Sequence, residues 1–125
     1  MNQPSTDPLD RSVFERLRFL RDEEHDYLSE LIATYLDSAP QLLDTLHATI
    51  ARGDVLATQK TAHTLKGSSA SLGAATLAAH CRELEMLARA GTLAGAAEWL
   101  QKIESEYTRV KPALEKEQRG KRAAN

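Results

Sequence analysis

Apolar residues recur every three or four positions between residues 28 and 50, and this spacing constrains the fold more than any other feature of the sequence. In an α-helix such positions share one face, whereas a half-buried strand would alternate strictly. The stretch therefore predicts one long amphipathic helix over about residues 24–51, with a kink at Pro40. The residues of the predicted buried stripe are Leu28, Leu31, Ile32, Tyr35, Leu36, Ala39, Leu42, Leu43, Leu46 and Ile50.

A short helix is predicted before the long one, over about residues 9–20. Ser12 with Glu15 is one candidate start, because the pair can form a capping box. Asp7 with Pro8 is the competing start, since proline is favoured in the first helical turn.

Three further helices are predicted after the long one, because turn and capping residues divide the remaining apolar pattern. They cover about residues 55–72, 75–90 and 93–114, with Pro112 kinking or ending the last. The breaks fall at Gly53, Gly73 and Gly91, and the predicted caps are Asp54 and Thr92. Four longer amphipathic helices joined by short turns predict an all-α fold. We expect an antiparallel up-down-up-down four-helix bundle with a short extra N-terminal helix.

The chain has 125 residues, of which 42% are hydrophobic, and this size and composition suit one globular domain. Residues 1–8 are polar and contain two prolines, and residues 116–125 are highly charged. We therefore predict a flexible lead-in over 1–8, the helical bundle over 9–115 and a flexible charged tail over 116–125.

Charge and hydropathy argue against several classes of partner. The net charge of -2 is unlike the basic face typical of nucleic-acid-binding domains. No apolar run is long enough to span a membrane, and the first residues lack the pattern of a signal peptide. The sequence thus predicts a cytoplasmic protein that contacts neither nucleic acid nor a membrane directly. Its single cysteine, Cys81, excludes an internal disulfide and falls on an apolar stripe, so we expect an inert core residue.

The segment with the most chemistry surrounds His63 on the third predicted helix. Each helical residue turns by about 100°, so His63, two positions before the apolar Leu65, points away from the core. This orientation predicts an exposed imidazole in the middle of a helix. The residues that share its face are Gln59, Lys66, Gly67 and Ala70.

Gly67 and Lys66 give this histidine unusual neighbours. Glycine inside a helix costs about 1 kcal/mol relative to alanine, so its presence one turn after His63 calls for a reason. Without a side chain, Gly67 would let a partner approach the ring. Lys66, three positions after His63, can offset the charge of a phosphate.

An imidazole with these neighbours suits phosphoryl transfer. With an unperturbed pKa of about 6.5, histidine is mostly neutral and nucleophilic at pH 7. Phosphoryl transfer needs mainly positioning and charge compensation from the protein. The sequence has no glycine-rich phosphate-binding loop, so we expect a phosphocarrier without its own ATP site.

These features resemble the histidine-phosphotransfer (HPt) domains of multistep two-component relays. The resemblance rests on residues 62–69 (AHTLKGSS) and 72–74 (LGA), supported by 35–40 (YLDSAP) and 81–85 (CRELE). It covers roughly residues 9–115.

The resemblance implies a role for each residue of the motif. His63 would be phosphorylated, Lys66 would support the phosphate and Gly67 would open the approach for a partner. A response-regulator receiver domain would supply the aspartate and its magnesium, so the chain itself would need no cofactor or metal. Docking would centre on the third helix, with help from the second.

Other interpretations of the sequence remain. The chain could bind a receiver without passing phosphate, or it could be the C-terminal HPt part of a hybrid, membrane-anchored sensor kinase. Taken singly, His63 and Lys66 could be ordinary surface residues, and Gly67 could serve close helix packing. His80 beside Cys81 lacks a second ligand pair, which favours packing at the edge of the core over a metal site.

Overall fold

The computed structural model describes residues 7–18 and 26–123, and these residues form helices joined by turns without any strand. The end of the first predicted helix, the start of the second and most of the lead-in lie outside the described residues. The helices are α1 (Arg11–Arg18), α2 (Tyr27–Ala51), α3 (Val55–Ser71), α4 (Ala75–Arg89) and α5 (Ala96–Ala123).

The four longer helices form a closed bundle. Each packs against its neighbours along the chain, and α5 returns to pack against α2, while the short α1 lies on α2. Because only a few residues join successive helices, neighbouring helices run antiparallel. The predicted all-α, up-down-up-down four-helix bundle with a short N-terminal helix is therefore confirmed.

The core follows the predicted apolar stripes. On α2, Ile32, Tyr35, Ala39 and Leu46 are buried, and Leu31, Leu36, Leu42 and Ile50 pack around them with partial exposure. The buried Tyr35 hydroxyl lies 2.8 Å from the Ser69 hydroxyl of α3. A hydrogen bond at this depth satisfies two polar groups that would otherwise be costly to bury, and it ties α2 to the helix that carries His63.

Two predicted turn features are confirmed in the connections. Asp54 caps α3, since its carboxylate accepts a hydrogen bond from the Ala57 N–H at 3.0 Å. Gly73, between α3 and α4, has φ of +74°, and an added Cβ would lie 2.8 Å from the Asp10 carbonyl oxygen. The Asp10 N–H donates to the Gly73 carbonyl at 2.7 Å, so this glycine lets the N-terminal segment close one end of the bundle.

The start predicted for α1 is wrong. Ser12 lies within the helix, which begins at Arg11, and its backbone N–H donates to the Asp10 carboxylate at 3.0 Å. Asp10 therefore caps the start of the helix in place of Ser12, by accepting from one of the N–H groups that lack a partner within the helix. Asp7, the competing start, accepts a hydrogen bond from the Leu9 N–H ahead of the helix.

The bounds predicted for α5 are also wrong at both ends. The helix begins at Ala96 because Gly95, with φ of +87°, belongs to the preceding turn, where Thr92 accepts a hydrogen bond from Ala94. It continues past Pro112 to Ala123. Contacts beyond the proline hold the helix in place: Leu114 is fully buried, Glu117 pairs with Arg11, and the Gln118 amide donates to the Ser29 carbonyl.

Candidate functional site

His63 lies in the middle of α3 on the side of the helix that faces solvent. Its side chain is 65% exposed, whereas Ala62, Leu65 and Ser69 on the other side of α3 are buried. The orientation predicted from the two-residue offset between His63 and Leu65 is therefore confirmed. The exposed ring is accessible to a macromolecular partner.

A buried carboxylate anchors the ring from below. Glu85 of α4 has a side chain only 2% exposed, and its Oε2 lies 2.8 Å from His63 Nδ1. Sequence reasoning gave Glu85 no role. The sequence nevertheless contained a sign of such a role, because Glu85 lies on the inner stripe of α4 together with Cys81, Leu84 and Ala88. A carboxylate at a core position is rare unless it is paired, so its position alone pointed to a partner.

Two cations share the same carboxylate. Lys66 Nζ lies 2.7 Å from Glu85 Oε1, and Arg89 Nη2 lies 2.7 Å from Oε2. The Lys66 side chain is 30% exposed and that of Arg89 is 60% exposed, so both reach from the surface to the buried acid. Lys66, predicted as a neighbour of His63, is thus connected to it through Glu85.

Glu85 is ionised at neutral pH. Burial acts to raise the pKa of its carboxyl group, but hydrogen bonds from Lys66 and His63 and the charges of these groups outweigh burial and hold the pKa below its ordinary value. A carboxylate can only accept hydrogen bonds, so His63 Nδ1 must carry the proton and donate it. In a neutral ring the other nitrogen, Nε2, then holds the free lone pair.

Gly67 lies exposed one turn after His63, and nothing packs against it. A Cβ built at this position would meet no atom within 4 Å, apart from the backbone of its own helix turn. The alternative that Gly67 serves close helix packing is therefore wrong. Its missing side chain leaves open space on the His63 side of α3.

The remaining candidates belong to the body of the bundle. His80 lies at the edge of the core, with its ring centroid 5.8 Å from that of Trp99. Cys81 is buried, and burial together with the nearby Glu85 charge raises the pKa of its thiol to about 12.

Within residues 7–18 and 26–123, no three His, Cys, Asp or Glu side chains form a group that could hold a metal ion. The helices in these ranges are also too short or too polar to cross a membrane.

The fold and the site together define a class: a helical bundle whose third helix exposes a histidine that is held by a buried carboxylate. The family model of the Hpt domain matches residues 30–113, which is more than half of the chain. The protein belongs to the Hpt domain family.

Individual relatives support this assignment. The chain is 27% identical over 109 residues to histidine-containing phosphotransfer protein 4 of Arabidopsis thaliana, covering 86% of each chain. It is 28% identical over 106 residues to histidine-containing phosphotransfer protein 5 of the same plant, covering 82% of this chain and 68% of the relative. The crystal structure of HptB from Pseudomonas aeruginosa PAO1 superimposes with a TM-score of 0.83 at 33% identity, covering 92% and 97% of the two chains.

Family membership establishes a phosphotransfer role in two-component signal transduction. Proteins of this family are phosphocarriers rather than enzymes in the usual sense, and they interact with two-component kinases and response regulators.

Proposed function

We propose that His63 accepts a phosphoryl group on Nε2 from the phosphorylated aspartate of a receiver domain and passes it to the aspartate of a second receiver. One observation carries this proposal: the buried Glu85 carboxylate holds Nδ1 at 2.8 Å, while the ring is 65% exposed. The arrangement fixes the ring and directs the nucleophilic nitrogen towards solvent.

The proposed chemistry requires little beyond this arrangement. Phosphoryl transfer proceeds through a loose transition state, in which catalysis is mostly positioning and charge compensation. The α3–α4 pairing supplies the position through Glu85, and Lys66 supplies positive charge one turn from the ring. In this proposal the magnesium ion belongs to the receiver, and the chain binds neither a cofactor nor ATP.

The proposed docking surface is the exposed face of α3. Leu56 lies seven residues, or about two helical turns, before His63 and therefore on the same face. It is 59% exposed, which is unusual for a large apolar side chain and favours a protein partner. Gly67 and Ala70 continue the face with little or no side chain. We expect receivers to cover this surface, with α2 contributing at its border.

We place this activity in the cytoplasm, either in a free carrier or in the HPt part of a sensor kinase. This placement follows from the receivers that we propose as partners.

The direct test is transfer from a phosphorylated receiver to His63→Gln. The wild-type protein should gain acid-labile phosphate, and the variant should gain none. The variant should still fold, because Lys66 and Arg89 continue to pair with Glu85 when the imidazole is removed. The melting curve by circular dichroism is the control for folding. Labelling of the variant at the wild-type level would refute the proposal. A wild-type protein that binds receivers without being labelled would instead be a receiver-binding module.

A further inference from the structure

The acceptor that holds His63 is an ionised carboxylate, although a neutral amide of the same shape could also fix the orientation of the ring. We propose that Glu85 keeps the Nδ1 proton on the ring of phosphorylated His63, so that the phosphoryl group leaves from an imidazolium. This inference rests on the proposed phosphorylation of His63 and assigns Glu85 a role beyond positioning.

The role of Glu85 follows from where the electron pairs and the Nδ1 proton go during phosphoryl transfer. The Nε2 lone pair forms a bond to phosphorus, the bond between phosphorus and the aspartyl oxygen breaks, and its electron pair stays on the aspartate. The ring already carries the Nδ1 proton, so it becomes an imidazolium. In the reverse step an aspartate oxygen forms the bond to phosphorus, and the electron pair of the Nε2–P bond returns to the ring, which leaves as neutral imidazole. No proton moves in either direction as long as Nδ1 keeps its own.

A phosphorylated ring that loses this proton is a poorer donor. The group would then have to leave from a neutral ring and would generate an imidazolate anion. The surroundings of Nδ1 therefore decide whether phosphorylated His63 remains reactive at neutral pH.

The structure favours retention of the proton. Glu85 Oε2 lies 2.8 Å from Nδ1, and the carboxylate is 2% exposed, so water competes little for the hydrogen bond. An opposite charge at this distance favours the charged form of the phosphorylated ring. The low pKa of Glu85 supports the same conclusion, because the carboxylate stays ionised when the ring is charged.

The other groups around the pair do not replace this charge. Lys66 from α3 and Arg89 from α4 are cations that contact Glu85 and oppose a charged ring. The Cys81 thiol of α4 stays protonated, and burial raises the pKa of Tyr35 on α2, which therefore stays neutral. In the part of the chain that the structure describes, Glu85 is the anion in contact with His63, and no charged side chain of α2 or α5 contacts the pair.

Glu85→Gln separates charge from shape, and Glu83→Gln is its matched control. Glu83 lies two residues earlier on α4, and it is exposed. The wild type and both variants would be phosphorylated with phosphoramidate, a small chemical donor. The protonation of the phosphorylated ring would then be followed against pH by nitrogen NMR.

The midpoint of this titration should be about one pH unit or more lower in Glu85→Gln than in the wild type and Glu83→Gln. The pH above which the phosphoryl group becomes long-lived should fall with it. Equal midpoints in all three proteins would overturn the inference. If Glu85→Gln does not fold, the wild type in buffer is compared with the wild type unfolded in urea. A higher midpoint in the folded protein supports the inference, and an equal or lower one overturns it.

Failure of this inference is distinct from failure of the proposed function. Chemical phosphorylation does not depend on a receiver, so unchanged midpoints would leave transfer from receivers to His63 intact. Absence of that transfer would refute the proposed function whatever the midpoints.

Discussion

Among the residues that the structure describes, two histidine–glutamate pairs have almost equal length but very different surroundings. His63 Nδ1 lies 2.8 Å from Glu85, and His47 Nε2 lies 2.7 Å from Glu104 on α5. The histidines are 65% and 56% exposed, but Glu85 is 2% exposed and Glu104 is 40% exposed. The two pairs therefore differ mainly in the burial of the acid.

Burial of the acid decides what each pair can do. An exposed pair competes with water and is worth little, whereas a buried acceptor fixes its partner and strengthens the interaction. The nitrogen also differs, since Glu104 contacts the Nε2 that Glu85 leaves free at His63. A short distance between a histidine and a carboxylate is thus no sufficient sign of a reactive site.

Removing each acid should give the largest contrast between the pairs. Glu85→Ala should slow phosphoryl transfer by about tenfold to a hundredfold. This is the typical loss when a metal-binding histidine loses the hydrogen-bond partner that orients its ring. Glu104→Ala should leave the rate unchanged. Rapid-quench measurements with a phosphorylated receiver would decide, and equal rates for the two variants would remove the distinction between the pairs.

The two histidines also differ in whether a cation lies one turn away. The residue three positions after His63 is Lys66, whereas Ile50 takes that place after His47. Lys66→Ala should slow transfer several-fold while receiver affinity falls less, because the ammonium compensates charge in the transition state. Lys66→Arg should restore only part of the rate.

Lys60 is the control for this effect, since it is exposed and lies three residues before His63. Transfer and hydrolysis would be measured for Lys66→Ala and Lys60→Ala side by side. Small effects of equal size would make Lys66 an ordinary surface charge.

The buried acid should also make stability depend on pH. Because folding lowers the pKa of Glu85, the pair stabilises the fold fully above the ordinary pKa of 4.5, and this contribution is lost as the pH falls through the lower, folded value. At pH 7, Glu85→Gln should lower the free energy of unfolding by about 1–3 kcal/mol. Glu104→Gln should change it by less than about 0.5 kcal/mol.

Urea denaturation of the three proteins from pH 7 to pH 3 would test this expectation. The difference between the wild type and Glu85→Gln should shrink as the pH falls. A difference that stays constant or grows would show that the Glu85 charge does not stabilise the fold.

The smallest effect concerns the residue one turn after each histidine, which is Gly67 after His63 and Ala51 after His47. Gly67→Ala should raise stability by up to about 1 kcal/mol, because an added Cβ meets nothing and alanine favours a helix. Receiver affinity should nevertheless fall, and Gly67→Gln should lower it further. Melting curves would measure the stability of each variant, and calorimetric titration with a receiver would measure its affinity. Unchanged affinity in both variants would refute the idea that Gly67 gives a partner access to His63.

The bundle was predictable because its helices follow local periodicity. The apolar stripe of α2 and the Asp54 cap depend on residues within one helix or its first turn. The start of α5 was predicted too early because Thr92 can cap either a helix or a turn, and only the backbone at Gly95 separates the two. The exposure of His63 was predictable in the same way, because the residue lies two positions before the apolar Leu65 and so points away from the core.

The part of the site that was missed lies between helices. His63 and Lys66 of α3 meet Glu85 of α4 only because the two helices pack in one particular register, and the periodicity of a single helix does not contain that register. The position of Glu85 on the core stripe of α4 was a hint that it needed a partner, but it did not say which one.

We propose that the buried acid makes His63, and not His47, the phosphorylated residue. The most direct test is to incubate the wild-type protein with a phosphorylated receiver and to map the phosphate by phosphorus–nitrogen NMR correlation and mass spectrometry. The phosphate should be found on Nε2 of His63, with His47 unlabelled. Phosphate on His47, or on Nδ1 of His63, would contradict the account.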